Sequence, residues 1–331
     1  MKLIEFINTF NTEEDCSKYF KGIRDAQGVT CKKCGFKEHY WKSDKECYQC
    51  KKCGFRTSLK SGTIFESSKL SLRTWFVAIH LITSTKHTIS ASELQRQLGM
   101  KRYQPVWEML HKIRTMMGMR DDEYTLSGEV EVDEAFFSTE CPSEKKSETK
   151  KRGSGSQYKT KVMVMVESEE TRTDKPKARK ARRRADGITK KVGHLKMKVM
   201  TDLKSETADK TIKGRVSQDS TVCSDATMTH RNFGNLFHEF VSRAIKPEEI
   251  NKVLPWVHIA ISNAKSLLAD TYHGMKGEFL QCYLDEFCYK FNRRYVEDIF
   301  VNVVRSCAVY EKGFAHRLYG TKPYVKKVVA A

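Results

Sequence analysis

The chain has 331 residues, with 60 Lys plus Arg against 41 Asp plus Glu and a formal net charge of +19. That length provides for two or three domains and a sizeable core, and a charge this positive calls for a polyanion, nucleic acid before an anionic membrane. No apolar run is long enough to span a bilayer. The opening Met1-Lys-Leu-Ile-Glu-Phe lacks a signal-peptide pattern, and five of the 11 cysteines crowd between Cys31 and Cys53. A secreted disulfide framework and a membrane span are excluded, and an intracellular, metal-binding chain is predicted.

Thr12-Glu-Glu-Asp15 has the form of a helix start, with Thr12 as N-cap and acids in the first turn. The helix is predicted to run to about Arg24 with Cys16, Tyr19, Phe20 and Ile23 on its apolar face. Cys31-Lys-Lys-Cys34-Gly and Cys50-Lys-Lys-Cys53-Gly follow. Each is a knuckle that turns two thiolates toward one ion, and two knuckles supply the four sulfurs of tetrahedral Zn²⁺. Cys47 also forms a CxxC with Cys50, so two registers exist. The matched Cys-Lys-Lys-Cys-Gly units favour Cys31, Cys34, Cys50 and Cys53 as ligands. Tyr40, Trp41 and Tyr48 suit short strands between them. This is a zinc ribbon, serving either to contact DNA or to staple a module with little core of its own.

A helix is predicted from about Ser71, a second over Ser90–Leu98 and a third over Tyr103–Met117, with Gly99 in the short turn. Helix, Gly-containing turn, helix is the helix-turn-helix pattern, and also that of an ordinary helical hairpin. In the first reading Lys101, Arg102, Tyr103 and Gln104 open the recognition helix and face the major groove.

Gly128-Glu-Val-Glu-Val-Asp133-Glu-Ala-Phe-Phe137 alternates with period two. It predicts a strand with Glu129, Glu131 and Asp133 on one side and Val130 and Val132 on the other. Two further strands are predicted at about 160–167 and 194–201. They sit within and after a basic, Ser- and Gly-rich stretch, about 141–193. That stretch includes Lys175, Lys177, Arg179, Lys180, Arg182, Arg183 and Arg184, a run suited to phosphate contacts. A short helix (207–216) and a fourth strand (220–224) bring Asp225 to a strand end, as Asp133 is. A helix is predicted to start near Ser262, and Glu278–Arg294 is amphipathic, with Phe279, Cys282, Tyr283, Phe287 and Phe291 on one side.

The zinc knuckles ahead of a helical segment, Val132-Asp133-Glu134, Asp225, and the run Tyr283-Leu-Asp-Glu-Phe-Cys-Tyr-Lys-Phe-Asn-Arg-Arg294 together resemble bacterial insertion-sequence transposases of the DDE superfamily, in the group with an N-terminal zinc ribbon. The resemblance implies an α+β multidomain chain. Residues 1–68 would form an N-terminal helix and zinc ribbon, and 69–120 a helix-turn-helix segment. Residues 121–320 would be a ribonuclease-H-like α/β catalytic domain with a mixed five-stranded sheet, and 321–331 a basic tail. The family's acidic positions match Asp133 and Asp225. The third matches Asn263, five residues after His258, in place of the usual Glu. Where many relatives carry Lys or Arg seven residues later, this chain has Asp270.

The implied activity is Mg²⁺- or Mn²⁺-dependent cleavage and joining of DNA strands, held by Asp133, Asp225 and Asn263, with Zn²⁺ structural. The implied partner is double-stranded DNA, both element ends and target, bound by a homodimer or larger assembly in the bacterial cytoplasm and not at a membrane. The alternative is a non-catalytic zinc-ribbon regulator, which the Asn at the third position keeps open.

Overall fold

Helix α1 (Leu3–Thr9) opens the chain, followed by α2 (Glu13–Gln27). α2 starts where the sequence predicts. Asp15 N donates to Thr12 Oγ1 at 3.1 Å, and Thr12 N donates back to the Asp15 carboxylate at 2.9 Å, a reciprocal capping box. α1 gives no amphipathic signal, since Phe6 is its one buried residue and Leu3, Ile4 and Ile7 are exposed. These elements come from a computed structural model that describes residues 1–141, 149, 156–172, 188–243, 254–272 and 274–310. By its contacts the chain divides into two compact units, residues 1–120 with 295–331, and residues 121–294.

In the first unit α2 leads to a three-stranded antiparallel sheet, β1 (His39–Lys42), β2 (Cys47–Cys50) and β3 (Arg56–Ser58). Helices α3 (Leu72–Ser84), α4 (Ala91–Gln97) and α5 (Tyr103–Asp122) follow. Ser71 and Ser90 cap α3 and α4 by accepting from Thr74 N and Glu93 N. A helix at Ile299–Val309 completes the unit. The sequence places it in the catalytic domain, which was expected to run to about 320; the contacts assign Tyr295 onward to the first unit instead. The reason is aromatic packing. Phe300 lies 5.4 Å from Phe6, 5.5 Å from Phe10 and 5.8 Å from Phe76, and those rings bury a large apolar area together. The predicted basic tail, 321–331, lies outside the described residues.

The second unit is built on one mixed sheet of β4 (Glu129–Ser138), β5 (Lys159–Arg172), β6 (Ile188–Met200), β7 (Thr221–Asp225) and β8 (Glu239–Arg243), in the order β6-β5-β4-β7-β8. β4, β5 and β6 form an antiparallel meander, and β7 and β8 add in parallel on the far side of β4. This is the ribonuclease-H-like order. Period-two alternation on β4 sends Val130 and Val132 into a layer with Met163, Met165 and α6 (Ser205–Ile212). Ala135 and Phe137 go to the opposite layer, under α7 (Pro255–Thr271) and α8 (Leu280–Asn292).

Three sequence expectations change. β5 and β6 run well into the stretch read as a basic connection, because their pairing continues past Val166 through Ser168↔Val192 and Glu169↔Lys191, with a bulge between Val166 and Ser168. α7 starts at Pro255, not near Ser262. Pro at the first helical position needs no hydrogen-bonded N–H, and the next two N–H groups, of Trp256 and Val257, donate to Glu131 Oε2 at 2.9 and 3.0 Å. β8, the fifth strand, is short and largely exposed and has no sequence signal.

The run that carries the family resemblance proves to be an edge clamp. β6 is an edge strand, whose free backbone groups need partners. Asn292 accepts from Leu195 N at 2.8 Å and donates to Leu195 O at 3.0 Å. Gln281 does the same for Val199 N and Met197 O. Arg294 donates to the carbonyls of Val192 and Gly193, and Arg293 pairs with Asp121 at 2.6 Å. α8 thus seals the sheet edge with side chains.

Candidate metal centres

The two knuckles fold alike. Gly35 N donates to Cys31 O at 2.9 Å and Gly54 N to Cys50 O at 3.0 Å. Both glycines have φ near +70° (Gly35 72°, Gly54 70°), a region costly for any side chain. Cys31 Sγ lies 3.6 Å from Cys53 Sγ, and Cys34 Sγ lies 3.6 Å from Cys50 Sγ. Four Zn–S bonds of about 2.3 Å in a tetrahedron put sulfurs roughly 3.8 Å apart, so the set fits Zn²⁺. Cys47 stands in β2, buried and outside this group, which favours the register of matched knuckles.

The carboxylate centre is assembled from four separate pieces of the second unit. The parallel β4–β7 ladder ends at Val132↔Ser224. Asp133 and Asp225 therefore lie side by side just past the last rung. α7 crosses above Asp133 and brings His258 Nδ1 to 3.6 Å from its Oδ2. Asn263 is on the same helix, exposed, and about 7.5 Å further along the axis. Asp270 is exposed two turns beyond it. Behind Asp225 a 3-10 turn, Met228–His230, delivers a fully buried His230. Its Nε2 is 3.2 Å from Glu134 Oε1, and its Nδ1 is 3.9 Å from Asp225 Oδ1 and 3.3 Å from Thr227 Oγ1. Among the described residues Glu134, Asp225 and His230 form the second group whose ligand atoms all lie within 4.8 Å of one another.

Glu134 and His230 were not predicted as site residues. Glu134 alternates away from Asp133 in a strand reading, and only the end of the ladder lets it turn toward Asp225. The one available signal was His230 five residues after a strand-end Asp. Glu131, placed by sequence on the acidic face, caps α7 instead.

The electrostatics are those of crowded acids. Burial pushes the Asp133 carboxyl up to about 7, against the Glu134 N–H that donates to it at 2.8 Å; the charges of Asp225 and Glu134 push the same way. Burial and then the Glu134 charge raise Asp225. Burial opposes ionisation of Glu134 too, but the His230 ring holds its carboxyl below the usual range. Burial lowers His258, favouring the neutral ring. Asp225 Oδ1 is buried and accepts no hydrogen bond. An oxygen donor set that repels itself and keeps one buried oxygen bare fits a hard divalent cation such as Mg²⁺.

Lys101, Arg102 and Tyr103 are exposed and Gln104 is half-buried at the start of α5. Lys175, Lys177, Arg179, Lys180, Arg182, Arg183 and Arg184 lie outside the described residues. Past the carboxylates along the chain, the end of β4 and α7 border an open cleft of about 1030 Å³ lined by Lys159, Lys265, Tyr158 and Tyr272 among others. No described helix is long and apolar enough to cross a membrane.

Comparison with known proteins bears on both centres. Residues 11–56 match a transposase zinc-ribbon domain. Among curated protein sequences none matches the chain. A chain of the crystal structure of a pre-cleavage Mos1 transpososome aligns over 73% of this chain and 79% of its own at 10% identity and a TM-score of 0.26, a likeness too slight to argue from. Residues 125–292, which hold Asp133, Asp225, His258 and the clamp residues Gln281 and Asn292, match the ISXO2-like transposase domain; the chain belongs to that transposase family.

Proposed function

We propose that this transposase binds the terminal inverted repeats of an insertion sequence and cuts and joins DNA strands at a divalent-ion site made by Asp133, Asp225 and Asn263. The observation that supports the reading is the β4–β7 register, whose last rung, Val132↔Ser224, immediately precedes both Asp133 and Asp225. When bound, a pair of Mg²⁺ or Mn²⁺ ions would activate water against a phosphodiester and stabilise the leaving 3′ oxygen. Asp133 and Asp225 supply anionic oxygens, and Asn263 supplies a neutral carbonyl. The His258 ring steadies Asp133 from α7. The freed 3′ hydroxyl then attacks target DNA.

In this reading the zinc ribbon and the helical segment through residue 120 read the ends, with Lys101, Arg102, Tyr103 and Gln104 toward the bases. The run Lys175–Arg184 adds phosphate contacts of any sequence, to be weakened steeply by salt. Lys159 and Lys265, in the cleft along the far end of β4, give a phosphate backbone two cations to follow. Joining two ends calls for a dimer or larger assembly on DNA in the bacterial cytoplasm.

The test is a strand-transfer assay on DNA carrying the sequences that flank the gene. Wild-type chain with Mg²⁺ or Mn²⁺ should give cut and joined products that vanish in Asp133→Ala and Asp225→Ala. End binding without cleavage under either ion would favour the non-catalytic regulator.

A further inference from the structure

We propose that Glu134 is a third carboxylate ligand of the divalent-ion site, supplying the negative charge that Asn263 does not. The inference rests on the proposed function and goes beyond its three-residue site. Asp133, Asp225 and Asn263 together carry two negative charges. A site meant for two divalent ions and a phosphodiester is short of anionic oxygen with that set. The sequence offers Asp270 as a substitute, but Asp270 is exposed on α7.

Glu134 is placed differently. Its side chain is 9% exposed, and a carboxylate so buried is costly unless something holds it. What faces it is His230, whose Nε2 is 3.2 Å from Oε1, yet Oε1 accepts no well-aligned hydrogen bond. The ring holds Oε1 loosely, and a carboxylate oxygen has a second lone pair to offer a cation. His230 itself is fixed. Its ring is fully buried, stacks on Phe233 at 4.7 Å, and meets Thr227 and Asp225 with its other nitrogen. A rigid imidazole thus stands between two carboxylates and sets their spacing.

The chain trace explains how adjacent residues reach one site. Neighbours on a strand point to opposite faces. Here the β4–β7 ladder stops at Val132↔Ser224, so no β7 backbone pairs alongside Glu134. The ligand atoms of Glu134, Asp225 and His230 all lie within 4.8 Å of one another, and Glu134 N donates to Asp133 Oδ1 at 2.8 Å. Asp133 and Glu134 are thus tied to each other by the Glu134 N–H on the Asp133 carboxylate, and Glu134 reaches Asp225 from there.

The experiment is a calorimetric titration of Mn²⁺ into the full, zinc-loaded chain. The variants are Glu134→Gln, His230→Gln, their double, Asp270→Asn, and the controls Asp133→Asn and Asp225→Asn. Glu134→Gln should weaken Mn²⁺ binding roughly tenfold or more, His230→Gln less than that, and Asp270→Asn not at all. Wild-type affinity in Glu134→Gln overturns the proposal. So does an equal loss in Glu134→Gln, His230→Gln and the double, which would mean Glu134 acts only through His230. If Asp133→Asn and Asp225→Asn also bind normally, the underlying metal site is wrong; if they lose binding and Glu134→Gln does not, only this inference fails. Should Glu134→Gln not fold, Glu134→Asp decides: a clear loss of affinity supports the proposal and an unchanged one overturns it.

Discussion

The zinc ribbon and the carboxylate centre both gather like groups that repel one another, and they use the chain in opposite ways. All four ribbon sulfurs come from within 23 positions, in two copies of one local turn. The carboxylate centre draws on β4, β7, a 3-10 turn and α7, across 126 positions from Asp133 to His258 by inclusive count. A local site can order as the metal binds, so its metal is part of its folding. The carboxylates are placed by the sheet itself, which brings their charges close enough to repel one another.

That contrast is broken most severely at the ribbon. Chelating the zinc, or Cys50→Ser, should unfold residues around 31–58 and release about one Zn²⁺ per chain, measured by circular dichroism and a colorimetric zinc assay. Cys47→Ser should leave zinc content unchanged.

At the carboxylates the sign reverses. Asp133→Asn should cut strand cleavage by about 10²–10³-fold while raising the melting temperature of the ion-free chain at pH 8. The Asp133 carboxyl is raised in the folded state to about 7. Its contribution is therefore full below the unfolded value near 4 and is lost as pH climbs through about 7. Ion-free stability should fall over that window by an amount on the order of 1–3 kcal/mol, and Mg²⁺ should restore it. A melting curve flat between pH 5 and 8 would contradict this.

A buried carboxylate with a structural task should behave the other way. Glu167 accepts from Tyr124 Oη at 2.8 Å, Ser127 N at 3.0 Å and His194 N at 2.7 Å. Burial raises its carboxyl, but the His194 ring and these donors hold it below the usual range. Its stabilisation is present above the unfolded value and lost as pH falls through the folded one. Glu167→Gln should cost about 2 kcal/mol at neutral pH with no direct effect on ion binding, read by urea denaturation. Gly193→Ala tests the same junction, since a Cβ there would sit 2.5 Å from Glu167 Oε2. The smallest effect belongs to Glu131→Gln. Its carbonyl still caps α7 but without charge at the helix N-terminus, for about 0.5–1 kcal/mol.

Sequence legibility followed the same divide between local and distant. The zinc knuckles, the Thr12 cap and the β4 alternation are short-range patterns and stand where the residues put them. Asp225 closes β7 as the residues suggest, but Asp133 lies in the middle of β4, where the β4–β7 ladder and not the strand comes to an end. What sequence did not reveal depends on distant partners. α7 begins at Pro255 because Glu131, on another element, receives its first N–H groups. β8 is a strand because β7 offers it an edge. The Ile299–Val309 helix packs with the N-terminal helices because Phe300 finds their aromatic rings. Glu134 and His230 become neighbours of Asp225 only where the ladder stops.

The most direct measurement is a crystal of the chain soaked in Mn²⁺, with the metal located by its anomalous scattering. The account predicts Mn²⁺ density between the Asp133 and Asp225 carboxylates, absent from an Asp133→Asn/Asp225→Asn crystal. Density that avoids these two side chains in the wild type, or that survives their replacement, would contradict it.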